Sequence, residues 1–261
     1  MFTFEFAEKV LAQKSLQREH YGIIEAASPI KMISKIAKMM PEDTTNFLVF
    51  TSGRIDFKEL SNAMTECWEL PVTGGICDAI GDTRESYKDN RALVIFLNND
   101  KPPMLQKIDN IKTSSASMIF TALGDKDKEI EFSSDYEVFG TDLYRMFYNG
   151  EEVPSDKALI LPQQRIHLKR STIHNGKPED YRTDFIELLE SSFLDWAAYF
   201  IITCISRVQK MGDDNLDQLE IEKRIRFSDK QGFGIGGLGV YFTDENKIVR
   251  RVGKTLGLMK C

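Results

Sequence analysis

Between Tyr21 and Cys77 the chain alternates short apolar runs with amphipathic ones, and no other feature limits its fold as much. Tyr21–Ala27 (YGIIEAA), Asn46–Ser52 (NFLVFTS) and Pro71–Cys77 (PVTGGIC) have the length and composition of buried strands. The two intervening segments have helical spacing. Ser28 and Pro29 offer an N-cap and a first helical position, and Ile30, Ile33, Ala37 and Met40 recur on one face until Pro41. Asp56 is placed to cap a second helix bearing Phe57, Leu60, Met64 and Trp68. This order predicts a parallel sheet with crossover helices.

Hairpin signals dominate beyond that point. Arg91–Leu97 (RALVIFL) is an apolar strand, and Ser117–Leu123 with Lys128–Phe132 predicts a hairpin around Gly124-Asp125. A second hairpin joins Leu143–Tyr148 to Glu151–Val153, Asn149-Gly150 supplying the positive φ angles of a type I′ turn. Lys157–Leu161 and Arg165–Lys169 continue the sheet. From Pro178 to about Met211, apolar residues at three- and four-residue spacing (Phe185, Leu188, Leu189, Trp196, Phe200) predict a long buried helix closed by Gly212. A short acidic helix near Leu216–Glu222 and a glycine-rich hairpin region follow. The expected fold class is therefore α/β to α+β. It has an N-terminal parallel β-α-β-α-β core, antiparallel hairpins in the middle and a helical C-terminal part. Residues 1–176 form a mixed sheet domain, and 177–261 a long helix plus glycine-rich basic tail on the same core.

One internal echo crosses this division. Asp89–Phe96 (DNRALVIF) and Ser155–Pro162 (SDKALILP) share a polar turn, a basic residue, Ala-Leu and an apolar run. Each follows a glycine-bearing turn, Gly74-Gly75 or Gly140. The echo is either a duplicated sheet unit or the ordinary likeness of two buried strands.

Charge and cysteine content narrow the function classes. With 34 basic and 40 acidic residues the formal charge is -6, which argues against wrapping a phosphate backbone as the main task. Cys67, Cys77, Cys204 and Cys261 form no C-x-x-C pair, which removes zinc ribbons and thioredoxin-like motifs and points to a reducing cytoplasm. The N-terminal sequence has no secretory pattern, and the apolar stretch Phe193–Ile205 is interrupted by Asp195 and too short to span a bilayer.

Leu48–Gly81 and Tyr144–Pro162 together resemble the FIST domain, a sensory module of signal-transduction proteins. The likeness lies in a strand and helix leading to a Pro-hydrophobic-small-Gly turn, and in a later hairpin with Asn-Gly and Ser-Asp leading into an apolar strand. The resemblance implies a non-catalytic module that binds small ligands. Its candidate contacts are Gly74 and Gly75, where glycine would let backbone amides approach a ligand, with Cys77 beside them and His174 in a loop. The sequence names no cofactor.

Gly232–Gly239 (GFGIGGLG) contains G-x-G-x-x-G, but the following residues read as strand, turn, strand, so a glycine hinge or hairpin rim is the better reading. Basic residues gather in this last segment, and Lys223, Arg226, Lys247, Arg250 and Arg251 are candidate contacts for an anionic partner. His20, His167 and His174 have no metal-pair spacing. Three functions stand in order. The first is a cytoplasmic small-ligand-binding or signalling interaction module. The second is a structural or assembly subunit, viral or of a large complex, acting through protein contacts, the basic tail and homo-oligomers. The third is a carboxylate-based hydrolase or nuclease.

Overall fold

The computed structural model describes residues 21–25, 29–52, 55–82, 86–87, 91–99, 101–124, 130–163, 166–177, 180–181, 183–184, 187–188, 198–211 and 231–260. These residues are mostly β. Sheet 1 runs β1 (Tyr21–Glu25), β6 (Arg91–Leu97), β2 (Asn46–Ser52), β3 (Val72–Ile76), β11 (Arg145–Tyr148) and β12 (Glu151–Glu152). Sheet 2 runs β7 (Met104–Lys107), β13 (Lys157–Pro162), β8 (Ser117–Thr121), β10 (Val138–Asp142), β17 (Val240–Thr243), β18 (Ile248–Val252) and β9 (Glu131–Ser133). Sheet 3 runs β14 (Leu168–Thr172), β19 (Thr255–Lys260), β15 (Ala198–Cys204), β16 (Gln231–Gly237), β4 (Ala79–Asp82) and β5 (Ser86–Tyr87). The helices are α1 (Pro29–Met39), α2 (Phe57–Trp68) and α3 (Ile205–Met211).

All three sheets repeat one pattern. A parallel pair lies at the centre of each: β2 with β3, β8 with β10, β15 with β16. The first strand of the pair is flanked by a returning antiparallel strand (β6, β13, β19) and then an edge strand (β1, β7, β14). The second is flanked by a hairpin that comes from a different stretch of chain: β11–β12, β17–β18 and β4–β5 respectively. The described residues thus form three repeats, from Tyr21 to Leu97, Met104 to Pro162 and Leu168 to Lys260, each lending its hairpin to a neighbour's sheet.

The repetition extends to single residues. Gly74, Gly140 and Gly234 stand opposite Val49, Ile119 and Ile201, and a Cβ on any of them would run into the carbonyl of its partner. The strands carrying those partners read Leu48–Ser52 (LVFTS), Met118–Ala122 (MIFTA) and Phe200–Cys204 (FIITC). Where each chain leaves its own sheet, equivalent backbone bonds tie the repeats in a ring. Asp78 N–H donates to the Gly236 carbonyl, Tyr144 to Ile76, and Leu238 to Asp142, each at 2.9 Å.

One hydrophobic core lies among the three sheets. It takes Leu48, Phe50, Leu93, Ile95 and Met146 from sheet 1, Met118, Phe120, Phe139, Leu159 and Leu161 from sheet 2, and Phe200, Ile202, Phe233 and Ile235 from sheet 3. Phe50, Phe120, Phe200, Phe139 and Phe233 are linked by ring contacts of 5.3–6.4 Å. Outer faces are covered separately. α1 and α2 bury Met32, Ile36, Phe57, Leu60 and Met64 against sheet 1. Sheet 2 has no α-helix there among the described residues; Ile108, on a 3₁₀ turn, with Ile111, Leu123 and Ile130 from the connections between its strands, does the same work.

Several expectations are corrected. The N-terminal core is one parallel pair, not a parallel triplet, because β1 pairs antiparallel with β6. Among the described residues the helical C-terminal part is replaced by strands β15–β19 in central positions, with the short helix α3 and helical residues at 180–181, 183–184 and 187–188. Within the expected helix, Ala198–Cys204 is a strand; its near-continuous apolar run is what a strand covered on both faces carries, and sequence periodicity does not distinguish it from a buried helix. No hairpin forms around Gly124: β8 pairs with β10 and β13, while β9 pairs with β18. The Asn149-Gly150 turn is as expected, with φ of 49° and 81°. Asp56 caps α2 as expected, accepting from Glu59 N–H at 3.0 Å. The Met1–Phe6 segment, the residues around Trp196 and the acidic helix near Leu216 lie outside the described residues.

Candidate partner-binding edge

The sequence-derived ligand residues are used in packing. Gly74 and Gly75 lie inside β3, with β2 on one side and β11 on the other, and the space above each is taken by a backbone carbonyl, Val49's and Arg145's. Gly74 also has φ of 138°, a conformation that glycine alone adopts readily. Cys77 is buried in the central core with its N–H on the Thr51 carbonyl at 3.0 Å. His174 is not brought to them. It is exposed beside the turn before β19, where its carbonyl accepts from Lys254 Nζ at 2.6 Å.

The basic segment is woven into the fold rather than held apart as a tail. Lys247 pairs with Asp135 at 2.7 Å and Arg250 with Glu131 at 3.0 Å. That pairing holds the Asp135 carboxyl below its ordinary range and raises Lys247. Arg251 binds Asp142 at 2.9 Å, with Asp142 buried and Arg251 mostly so, and Asp142 also accepts from Thr121 Oγ1 at 2.7 Å and Leu123 N–H at 3.0 Å. Tyr241, fully buried, bonds to Thr121 at 3.0 Å, and burial pushes its hydroxyl pKa up. Lys223 and Arg226 lie outside the described residues. The glycines of the G-x-G-x-x-G stretch make room for neighbours: Gly237 for Thr141, Gly239 for the stem of Arg251.

A second buried cation, Arg207 on α3, donates to the Tyr181 carbonyl at 2.8 Å and to Asp184 at 2.7 Å, while Ser171 donates to the same carboxylate. Carboxylates on β9 and β12 are paired too, at exposed positions. Glu152 is held by Arg145, which lowers its pKa, and Glu131 by Arg250.

The feature that sequence reasoning missed is the edge of sheet 2. Two of the four exposed large apolar side chains of the described residues, Met104 and Leu105, are consecutive there, on β7. Ile108 N–H donates to the Asp156 carbonyl at 2.9 Å, and β7 pairs Gln106 with Ala158 and Met104 with Ile160. Antiparallel alternation then directs the backbone of Met104 and Gln106 into the sheet, and the N–H and C=O groups of Leu105 and Lys107 outward. Pro102 and Pro103 end the strand on one side. On the other, the Gln106 side chain clasps Lys112, accepting from its N–H at 2.7 Å and donating to its carbonyl at 3.0 Å. Near the equivalent strand of sheet 3, β14, the Tyr181 hydroxyl instead donates to the Ile173 carbonyl and Ser171 donates to Asp184. The β7 signal was in the sequence, as the run Met104–Lys107 behind two prolines, but the run is too short and too mixed for a strand pattern.

No protein-family model matches the chain, and no curated protein matches it. Among the described residues no helix is long and apolar enough to cross a membrane.

Proposed function

We propose that the chain is a non-catalytic interaction module of the cytoplasm that takes up an extended segment of another protein along β7. The supporting observation is a short, outward-facing ladder at Leu105 and Lys107 with exposed Met104 and Leu105 beside it, the arrangement by which strand addition gains both backbone bonds and apolar contact. Cys67, Cys77 and Cys204, none of them joined in a disulfide among the described residues, fit a reducing compartment. A FIST-like signalling role is one form of this reading. Its small ligand would need a place other than Gly74-Gly75, where carbonyls of adjacent strands occupy the room.

Selection of a displayed random-peptide library against the folded protein tests the proposal, with Leu105→Pro as the counter-target. That substitution deletes an outward N–H and leaves the bonds to β13 in place. Peptides that bind the native chain and lose the variant support strand addition. Enrichment indifferent to Leu105→Pro, or a small molecule retained in native mass spectrometry, would overturn it.

A further inference from the structure

The charge around β7 goes further than the edge itself, and resting on that reading, we infer that the segment received there is acidic. Lys107 and Lys157 stand directly opposite each other on β7 and β13, on the same face of the sheet. Like charges in that position are unfavourable in isolation. Among the described residues neither has an ion-pair partner, and neither do Lys101 and Lys112 at the two ends of the strand. Several cations elsewhere in the fold are matched: Arg145 with Glu152, Lys247 with Asp135, Arg250 with Glu131, Arg251 with Asp142, Arg207 with Asp184. In a chain of formal charge -6, lysines without an ion-pair partner thus gather beside the exposed apolar edge. Asp109 and Asp156, exposed nearby, offset only part of this charge.

Strand addition sets the geometry of recognition. An incoming strand places alternate side chains on the face that carries Leu105, Lys107 and Lys157, and the others on the face of Met104. Glutamate or aspartate at alternate positions would meet the two opposed lysines, while apolar residues between them meet Met104. A second copy of this chain fits poorly: pairing β7 with itself brings two lysine rows together, the repulsive arrangement that specificity by charge exploits. The occupant is therefore an acidic, alternating segment of a different protein, and its binding weakens as salt screens the lysines.

Three capped six-residue peptides test this on the full-length protein: alternating Glu and Val, alternating Lys and Val, and the Glu-Val peptide N-methylated on alternate amides. Binding is read from chemical shifts of the Leu105 and Lys107 amides. The Glu-Val peptide is expected to perturb both amides, to bind about tenfold more tightly than Lys-Val at low salt, and to lose that margin at high salt. The methylated peptide should not bind. Lys107→Glu, at an exposed position, should reverse the preference while leaving the melting temperature within the surface range. Equal binding of the Glu-Val and Lys-Val peptides would overturn the acidic partner and leave strand addition standing. No perturbation of Leu105 and Lys107 by any peptide would overturn both.

Discussion

Arg251→Ala separates a woven strand from a detachable basic tail more sharply than any other substitution. Arg251 lies on β18 opposite Tyr241, its stem passing over Gly239, and its guanidinium reaches the Asp142 carboxylate at 2.9 Å with side-chain exposures of 10% and 1%. Removing it leaves a carboxylate out of water with the Thr121 hydroxyl and Leu123 amide still donating, but with its countercharge gone. Breaking one partner of a buried pair costs about 3–5 kcal/mol. At about 2–4 °C per kcal/mol for a domain of this size, the melting temperature should fall by roughly 6–20 °C. Calorimetry or denaturant titration measures this directly. Arg251→Met combined with Asp142→Asn removes both charges, keeps an acceptor for Thr121 and Leu123, and should recover most of the loss, since an uncharged replacement of similar volume is often near neutral. A cost below about 1 kcal/mol for Arg251→Ala, the range of surface substitutions, would refute the reasoning.

Gly140→Ala should destabilise by about 3 kcal/mol or more, because the added Cβ meets the Ile119 carbonyl between paired strands; Gly124→Ala, with φ of 67° and open space around it, should cost only about 1–2 kcal/mol, and denaturant midpoints compare the two. Glu137 is half-buried beside Arg170, and burial raises its pKa above the ordinary glutamate value in spite of that arginine. A raised folded pKa means stability that is complete below the ordinary value and is lost as pH rises through the folded one. Glu137→Gln should therefore gain stability at neutral pH relative to the native chain and none near pH 3, as thermal melts across pH would report. Leu105→Pro should leave the melting temperature within about 2 °C, since the N–H it removes faces solvent.

What was legible in the sequence, and what was not, follows from how the repeats differ. In the first repeat the connections are helices, and Asp56, Phe57, Leu60 and Met64 announce α2 without help from tertiary structure. In the second the same places hold a 3₁₀ turn at Ile108–Asn110 and the short strand β9, and the local pattern changes to hairpins although the sheet does not. The DNRALVIF and SDKALILP echo was a true signal: β6 and β13 hold the same place in sheets 1 and 2, and Gly74 and Gly140 the same place in their parallel pairs. The third copy escaped because Thr255–Lys260 (TLGLMK) has Gly257 where its counterparts have Leu93 and Leu159. That substitution makes room for the Phe139 ring. Hairpins lent between repeats leave no local mark at all, since the sequence of β4 does not name β16 as its partner. The candidate site suffered similarly. Gly74-Gly75 was visible as an unusual pair, but nothing local tells a glycine that faces a ligand from one that faces a neighbouring carbonyl.

Residue-resolved hydrogen exchange on the partner-free protein tests the central claim, a folded sheet whose β7 ladder is left open. The Gln106 and Ile108 amides, directed at β13, should exchange slowly, near the rate of the strands at the core. Leu105 and Lys107, between and beside them, should exchange at close to the rate of an unprotected chain, giving alternate fast and slow sites along β7. Protection of Leu105 and Lys107 equal to that of Gln106 would mean that the edge is already covered, and would contradict the account.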